Sequence, residues 1–476
     1  MANPFSLIIA GVDSGANLLD LPAPTATTTP YVELSSLSLT LSADGSPGAM
    51  NFTVIEPKTP SGNLPWWRSG AVYDNARVQF FDSRYSATTP LFLGYISHIQ
   101  GELLENGVGT RATVQVTGAT GWLQQTIIRN GTTGIRATSF VDSFTLGSST
   151  STDRDIINGL LARVHTQVND ATTRQILNTA IITGSTRAIY TGSAQTIGKQ
   201  TFKATTLQSA LDSVAEEAGG IAEVQYRFWI DGDGRLNYGP KTVASTYATA
   251  PAEIVTDPAS IQTGSAASVT RLFARDLSVN LDHDTIVKGI FVMADSAYAR
   301  YDNNQTWPTA PTNDPYFRTY TGTYSRNGAG LASRNGPLPH EVFSAPKIVA
   351  KSDRGATIGA LARGTMTTRA QPRRTVSFTI AGGNLSQTSA PDWEYGYSQG
   401  YALTAAATYT LVKAWLPGQY VKISAPALDL SSTVLYIPTV TMRFADGGGT
   451  YQVQYEIEAD FRRQYIKGLR GLIAGE

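Results

Sequence analysis

The segment RFWIDGDGRLNYGP, residues 227–240, contains the acidic and glycine residues from which calcium loops are built. An EF-hand loop needs oxygen ligands at alternate positions, a glycine at the sixth and a glutamate at the twelfth. Counting from Asp231, these two positions hold Leu236 and Thr242. Apolar residues alternate with polar ones on both sides of DGDG, and Asp-Gly pairs favour tight turns. The segment is therefore predicted to be a β-hairpin and not a calcium site.

Two other segments contain partial motifs for phosphate or zinc binding. GSAQTIGKQ, residues 192–200, resembles a phosphate loop, but Gln200 stands where a magnesium-binding Ser or Thr belongs. His340-Glu341 begins like the helix of a zinc peptidase, but Ser344 occupies the position of the second histidine. His283 lies between two aspartates and is better explained as part of an exposed turn. No metal or cofactor site is predicted.

Residues for acyl transfer or glycoside hydrolysis are also poorly represented. The chain has 4 histidines and no cysteine, and it lacks the G-x-S-x-G motif of serine hydrolases. Asp392 and Glu394 are the best candidates for a glycosidase pair, although a tyrosine-rich surface loop explains them equally well. The chain is therefore predicted not to be an enzyme.

The charge composition of the chain indicates which kinds of partner it could bind. Lys plus Arg and Asp plus Glu number 37 each, and 16% of the residues are charged, against roughly 25% in an average soluble chain. A large surface for binding polyanions is not expected. The absence of cysteine excludes disulfides and permits assembly in a reducing cytoplasm.

The apolar run at residues 5–12 is too short for a signal peptide, and no later run approaches the roughly 20 residues of a membrane-spanning helix. No insertion into a lipid membrane is predicted.

The periodicity of apolar residues divides the first half of the chain into two regions. Residues 31–118 alternate with a period of two, which predicts an antiparallel β domain. A helical stripe then begins behind a Thr152/Asp153 cap and contains Ile156, Ile157, Leu160, Leu161, Val164 and Val168. A second helix is predicted from Thr206, with a Thr205-x-x-Gln208 capping pattern and Gly219-Gly220 as its end. It leads directly into the DGDG hairpin.

The second half begins with an Ala-, Thr-, Ser- and Pro-rich connection at 240–265 and then returns to strands. An irregular insertion is expected at 300–345, where SRNG occurs twice, followed by a helix at 353–368. Residues 76–117 and 419–459 share the order and spacing of three alternating strands. Two interpretations remain open, because short β-meanders resemble one another and two related β-barrels would look the same.

The predicted fold class is mainly β with an α/β insertion, with two related β-barrel-like domains flanking the mixed α/β region. Residues 1–128 would form the N-terminal β-barrel-like domain, and 129–245 the α/β domain with two helices and the DGDG hairpin. Residues 246–372 would supply the linker, strands of the second barrel, the insertion and a helix. Residues 373–476 would complete the second barrel and include a basic C-terminal segment.

The order of these features resembles the tail hub proteins of tailed bacteriophages. An N-terminal β domain, the helix TTLQSALDSVAEEAGG, the hairpin DGDGRLNYGP and the segment WLPGQYVKISAPALDLSSTVLYIPTVTMRF follow one another as in that family. The helix followed by the hairpin, and Pro417 to Ile423, carry most of the resemblance. This resemblance covers most of the chain, although each motif alone is degenerate.

The resemblance implies a structural virion protein at the distal end of the tail, in the baseplate or tail tip, assembled in the host cytoplasm. The family forms a ring of three chains, and each chain contributes two barrel-like domains, so that a homotrimer joins a sixfold tail tube to a threefold tip. The implied partners are the tail tube or distal tail protein, the tape-measure protein and tip or fibre proteins. Genomic DNA would pass without sequence-specific binding, which predicts polar side chains, largely uncharged or weakly acidic, on the lumen-facing strands of both barrels.

Two surfaces admit other interpretations. The Tyr- and Trp-rich loops at 301–324 and 391–401 could hold host glycans, which would make the chain a recognition protein, or they could pack against neighbouring subunits. The C-terminal segment DFRRQYIKGLRGLIAGE combines basic and apolar residues and could pack on its own barrel or dock on another subunit. The candidate interface residues in it are Arg462, Arg463, Tyr465, Lys467, Leu469 and Arg470.

Overall fold

The structure is a computed structural model that covers the chain in separate stretches. It describes residues 5–9, 31–57, 76–82, 88–104, 109–128, 143–167, 188–189, 194–203, 205–222, 226–240, 253–255, 271–282, 289–294, 297–302, 317–319, 340–344, 373–384, 416–428, 430–446 and 451–460.

The N-terminal strands form an antiparallel sheet, as the period of two predicts. These strands are β1 (Phe5–Ile9), β2 (Tyr31–Ser42), β3 (Ala49–Pro57), β4 (Arg77–Asp82), β5 (Phe92–Leu103) and β6 (Gly109–Gly118). They are hydrogen-bonded in the order β1-β4-β5-β6-β3-β2. Alternate side chains of β4 are buried, so this strand presents one apolar face to the core.

The middle region contains helices and short strands. Its elements are α1 (Trp122–Gln125), β7 (Ile127–Ile128), β8 (Ser143–Leu146), α2 (Asp153–Gln167), β9 (Ala188–Ile189), β10 (Gln200–Lys203), β11 (Thr205–Thr206), α3 (Leu207–Ala222), β12 (Tyr226–Ile230) and β13 (Leu236–Pro240). A 3-10 turn, Ala119–Gly121, precedes α1. Strands β12 and β13 form the predicted hairpin, and β9 adds to it in parallel.

The two long helices begin with side-chain caps, only one of which the sequence pattern located correctly. At the start of α2, Thr152 Oγ1 accepts a hydrogen bond from the Asp155 amide, and Asp155 Oδ2 accepts one from the Thr152 amide. The cap of α3 is Thr206, whose Oγ1 accepts the Ser209 amide at 3.1 Å. The Thr205-x-x-Gln208 prediction is therefore wrong by one residue, because the Gln208 side chain donates instead to the carbonyl of Gly45.

Two further sequence predictions are corrected by the structure. Helix α3 continues past Gly219-Gly220 to Ala222, since buried packing outweighs the weak helix propensity of glycine. The insertion at 300–345 is not irregular throughout, because it contains the end of β18 (Ala297–Asp302), β19 (Phe317–Thr319) and β20 (His340–Ser344). Together with β17 (Gly289–Ala294), these strands form a four-stranded sheet in the order β19-β18-β17-β20.

The remaining strands belong to the same sheet as the N-terminal strands. They are β14 (Glu253–Val255), β15 (Arg271–Phe273), β16 (Arg275–Asp282), β21 (Arg373–Asn384), β22 (Tyr420–Ala425), β23 (Leu430–Asp446) and β24 (Tyr451–Asp460). Strand β14 lies within the predicted linker at 240–265. The expected helix at 353–368 and both SRNG turns lie outside the described residues.

Strand order supports the weak duplication seen in the sequence. The first half has the order β2-β3-β6-β5-β4-β1, and the second has β16-β21-β24-β23-β22-β14. Matched strands agree in register, because Arg77 pairs with Tyr95 and Tyr420 pairs with Tyr436. The register shifts at matched places, immediately after Ile96 in β5 and after Tyr436 in β23. The two halves differ in that β14 is parallel to β22, whereas β1 is antiparallel to β4.

The two halves are separated in the sequence but joined in space. Strand β2 pairs with β23 from Ser38↔Arg443 to Ser42↔Thr439, which makes one continuous sheet. The α/β region lies between the two halves in the sequence, as predicted, and the pairing of β2 with β23 adds that the halves are in direct contact. The sheet is large and curled, and the chain is mainly β with an α/β insertion. The boundaries at residues 128, 245 and 372 stay predictions.

Two apolar cores lie on opposite faces of β5. The larger core contains residues from both halves, including Phe5, Phe80 and Phe444, whose rings pack together with centroids 5.0–6.0 Å apart. The second core lies within the α/β region and includes Leu93 and Tyr95 from the other face of β5. The five residues at the start of β5 are consequently all buried.

Candidate functional site

The acidic residues of the DGDG hairpin stabilise its turn. Asp231 Oδ1 accepts the amide of Arg235 at 2.8 Å, and its Oδ2 accepts the side-chain amide of Asn237 at 3.1 Å. Gly234 has a φ of +72°, which favours glycine. Asp233 pairs with the Arg235 guanidinium at 3.0 Å. Burial raises the pKa of Asp231, and the hydrogen bond from the Arg235 amide opposes that shift. The prediction of a hairpin is confirmed.

The tip of the hairpin packs tightly on the N-terminal sheet. A Cβ atom at Gly232 would lie 1.8 Å from the carbonyl oxygen of Pro90. The backbone amide of Ile230 donates to Thr120 Oγ1 at 3.0 Å. Only glycine allows this approach, so DGDG also serves as a contact between the α/β region and the segment before β5.

Arg227 connects the hairpin to the second half of the sheet. Its guanidinium lies 4.3 Å from the ring centroid of Tyr436 and 5.0 Å from that of Trp229, and it donates to the carbonyl of Gly418 at 3.1 Å. Arginine suits this position because its planar cation stacks on aromatic rings while donating in the plane. The hairpin and the segment from Pro417 to Ile423, which together carry much of the family resemblance, are therefore in direct contact.

Three parts of the chain meet around Gly418. Its φ is +90°, and a Cβ atom there would lie 3.3 Å from the Trp229 ring. Tyr436 donates its hydroxyl proton to the carbonyl of Ala43, at the turn between β2 and β3. The first half, the α/β region and the second half thus share one junction, which we define as Ala43, Arg227, Trp229, Gly418 and Tyr436.

A cavity of about 210 Å³ lies beside this junction. Its wall includes the hairpin tip, the strand start at Leu91 and Phe92, and a segment that contains Leu416. Asp231 and Asp233 also line it, but both carboxylates already have partners within the hairpin. The cavity is therefore a gap between packed segments, and both of its carboxylates take part in contacts within the hairpin.

The buried carboxylate of Asp153 links separate segments of the α/β region. Asp153, which is 2% exposed, accepts the Tyr238 hydroxyl at 3.0 Å and the amides of Arg154 and Gln195 at 2.9 and 3.0 Å. Burial raises the pKa of Asp153, and the bond from the Arg154 amide is the largest opposing influence. Burial also raises the pKa of Tyr238, as does the nearby carboxylate. This arrangement ties the start of α2 to β13 and has a structural role.

The partial motifs do not form sites where the structure describes them. Ile197 in the phosphate-loop-like segment is buried in the α/β core, whereas Lys199 is exposed. His340-Glu341 lies in strand β20 and not in a helix. Within the described residues, no group of three or more His, Asp or Glu side chains could hold a metal ion. His283, Asp392 and Glu394 lie outside the described residues.

The predicted interface also lies outside the described residues. Strand β24 ends at Asp460, and the six candidates Arg462, Arg463, Tyr465, Lys467, Leu469 and Arg470 follow it. Most of the aromatic loops at 301–324 and 391–401 are likewise not described. The interpretations of these segments stay predictions.

The residues that make the junction were not predicted from the sequence. Arg227 and Trp229 belong to an alternating strand, and Tyr436 belongs to a β-meander, so their local patterns indicate strands alone. One feature of the sequence could have indicated a contact site here, namely an arginine close to a tryptophan in a chain with few charges. Their partner could not be named, because nothing local indicates which distant strand they contact.

Comparison with solved structures shows the class of fold. The chain matches the tail protein from Neisseria meningitidis MC58 with a TM-score of 0.53 and 11% identity, over 98% of this chain and 99% of that one. It matches the 43 kDa tail protein of prophage MuSo2 from Shewanella oneidensis with a TM-score of 0.50 and 11% identity, over 96% and 97% of the two chains. The chain has the fold of these tail proteins over nearly its full length, which confirms the resemblance indicated by the sequence.

The other comparisons give no relative. No protein-family model matches the sequence, and no curated protein matches it.

In the part of the chain that the structure describes, no helix combines the length and apolar character required to cross a membrane.

Proposed function

We propose that the chain is a structural protein of a phage tail and forms a trimeric hub at its distal end. The hub would join the sixfold tail tube to a threefold tip and form part of the channel through which DNA leaves. The observation that carries this proposal is the fold shared with two tail proteins over 96–98% of the chain. An agreement of that extent includes both halves of the sheet and the α/β region between them.

The duplicated strand order supports the symmetry of the proposed hub. Each chain contains two halves with the same strand order, joined by β2 and β23. A ring of three chains would present six similar halves to a sixfold tube and three equivalent α/β regions to a threefold tip. A closed ring needs the same interface repeated between successive chains.

The outer face of the continuous sheet has the character expected of a channel wall. Paired positions along it are Gln115, Asn51 and Ser38 in the first half and Ser377 and Ser278 in the second. The opposite face of these strands is the apolar core. Arg443 on the outer face pairs with Glu456 at 2.7 Å, and Arg111 pairs with Glu33 at 3.2 Å. Arginines that are neutralised in this way would not hold DNA phosphates strongly.

Electron microscopy of the purified chain and of assembled tails tests the proposal. The expected result is a threefold ring with an axial channel, placed at the distal end of the tail. An antibody against the chain should label that end only. A chain that remains monomeric, or that labels the tail shaft or the capsid, would contradict the hub assignment.

A further inference from the structure

The two halves meet at one strand pair of the described sheet, β2 with β23. Strand β2 lies antiparallel to the distal part of β23, with Leu39 opposite Met442 and Thr40 opposite Thr441. The hydroxyl oxygens of Thr40 and Thr441 are 3.1 Å apart. On the core side, Leu37, Leu39 and Val440 are at most 1% exposed. This internal strand pair completes the apolar core between the halves.

The duplicated strand order gives β2 and β23 one counterpart each, and both counterparts lie at an edge of the sheet as the structure describes it. Strand β16 corresponds to β2, and β5 corresponds to β23. Among the described residues, β16 pairs only with β21, and β5 pairs only with β6 beyond Ile96. In the described part of the chain, both edges therefore present backbone groups with no strand partner, of the kind that recruit another strand.

The register identifies which residues correspond. Ser38 and Ser278 both lie opposite matched positions, Asn51 in β3 and Ser377 in β21. His98 and Thr439 are the first paired residues after the matched register shifts in β5 and β23. Leu277 and Val279 therefore correspond to Leu37 and Leu39. In the other strand, Ile99 corresponds to Val440, Gln100 to Thr441 and Leu103 to Phe444.

Burial differs sharply between corresponding apolar residues. Leu277, Val279 and Ile99 pack on the core but are only partly buried, whereas their counterparts at the internal strand pair are fully buried. The contrast is largest for Leu103, which is 79% exposed, against 4% for Phe444. Phe444 packs on aromatic rings of the other half. The free edges thus have the apolar side chains of the internal strand pair without its partner strand.

We infer that the distal part of β5 in one copy pairs antiparallel with β16 of the next copy and repeats the internal strand pair between chains. When the contact between chains has the register of the internal strand pair, Ser278 lies opposite Glu102, Val279 opposite Gly101 and Asn280 opposite Gln100. Each chain offers one edge of each kind, so the contact is head-to-tail and closes a ring if the rotation allows it. This inference rests on the proposed ring of chains and names the surfaces that form it.

Disulfide cross-linking of the full chain tests the register, because the chain has no cysteine of its own. The variant N280C/Q100C should form disulfides between chains under mild oxidation, giving covalent oligomers on non-reducing gels. T40C/T441C is the matched positive control and should cross-link within one chain. N280C/T113C is the matched negative control, because Thr113 lies directly opposite Gln100 but on β6. That extra strand places the sulfurs roughly 10 Å apart, beyond the reach of a disulfide.

A second variant tests the edge without new cysteines. Leu103→Lys changes an exposed residue, so the urea midpoint of the monomer should stay close to that of the wild type. Its oligomer should dissociate at a protein concentration at least tenfold higher than the wild-type oligomer does, as followed by light scattering across a dilution series. Ile127→Lys is the control, since Ile127 is also exposed, at 54%, but lies in β7 of the α/β region. It should leave assembly unchanged.

The outcomes separate this inference from the proposed function. Cross-links in N280C/Q100C but not in N280C/T113C, together with weaker assembly of Leu103→Lys, are the expected result. Oligomers that form without the designed cross-link would overturn the strand pairing and leave the hub intact. A chain that is monomeric at every concentration would overturn both.

Discussion

Arg227 joins segments that lie far apart in the sequence. Its guanidinium contacts the rings of Trp229 and Tyr436 and donates to the carbonyl of Gly418. In a chain of low charge, this cation is held by aromatic rings and a backbone carbonyl. Its role depends on the planar shape of the guanidinium, which lysine cannot reproduce.

Replacing Arg227 with lysine should lower the unfolding free energy by about 1–3 kcal/mol, because stacking and the bond to Gly418 are both weakened. Urea unfolding measures the change. Arg235→Lys is the control, since Arg235 forms an ion pair at the exposed hairpin tip and should change stability by less than about 1 kcal/mol. Equal effects of the two variants would show that Arg227 does not hold the junction.

Asp153 should make stability depend on pH in a defined direction. Burial raises its folded-state pKa above the ordinary value, so the folded state holds the proton at a pH where the unfolded state has lost it. Its contribution is therefore present at low pH and lost as pH rises through the folded pKa. Asp153→Asn removes this titration while keeping side-chain hydrogen bonding. The unfolding free energy of this variant relative to wild type should increase with pH immediately above the ordinary aspartate pKa and then level off.

Asp155 provides a control of opposite sign. Hydrogen bonds from Thr152, first its backbone amide and then its hydroxyl, lower the pKa of Asp155. Its contribution is present above the ordinary pKa and lost as pH falls, so Asp155→Asn should match wild type in acid and be less stable at neutral pH. Parallel pH curves for the two variants would contradict the assignment of Asp153.

At the scale of elements, the position of helix α3 is determined by two features, its buried apolar face and the cap at its first turn. Leu207, Leu211, Val214 and Ala218 are all fully buried in the α/β core, as their spacing predicted. That pattern determines which face is buried but leaves the first residue uncertain by one position. The hydroxyl of Thr206 determines the start, since it accepts the Ser209 amide.

Thr206→Ala should therefore lower the unfolding free energy by about 1 kcal/mol, the usual value of a threonine cap. Thr205→Ala is the matched comparison, because Thr205 is the neighbouring residue of the same type and does not cap the helix. Its effect should be below about 0.5 kcal/mol, with both measured by urea unfolding. A larger loss for Thr205→Ala would restore the cap predicted from the sequence.

At the scale of the whole molecule, assembly depends on surfaces beyond the core. The basic and apolar residues after Asp460 form a segment that we propose docks on a neighbouring subunit or another tail protein. Its large apolar side chains would otherwise face water, which soluble surfaces tend to avoid. Packing on its own barrel is the alternative.

Deleting residues 461–476 separates the two interpretations. If the segment docks between subunits, the truncated chain should keep the urea midpoint of the full chain but form the trimer, or attach to tails, several-fold less well. Light scattering and the yield of assembled tails measure this. A lower midpoint with unchanged assembly would favour packing on its own barrel, and no change in either property would contradict docking.

The sequence by itself determined the local elements of this protein. The period of two predicted β4, β5, β6 and β22 to β24, the helical stripe predicted α2 and α3, and Asp-Gly predicted the hairpin. These features follow from side-chain direction and turn geometry, which depend on neighbouring residues. The order of the same features along the chain also indicated the class of fold.

Only the tertiary structure decided how the elements combine. Alternation shows that one face of β2 and of β23 is buried, but it does not name the strand on either edge. Thr40 and Thr441, which are 401 residues apart, meet because both halves close one core. The contact of Arg227 with Gly418 has the same origin. Pairing between distant strands is decided by the packing of the whole core, and no local pattern encodes that choice.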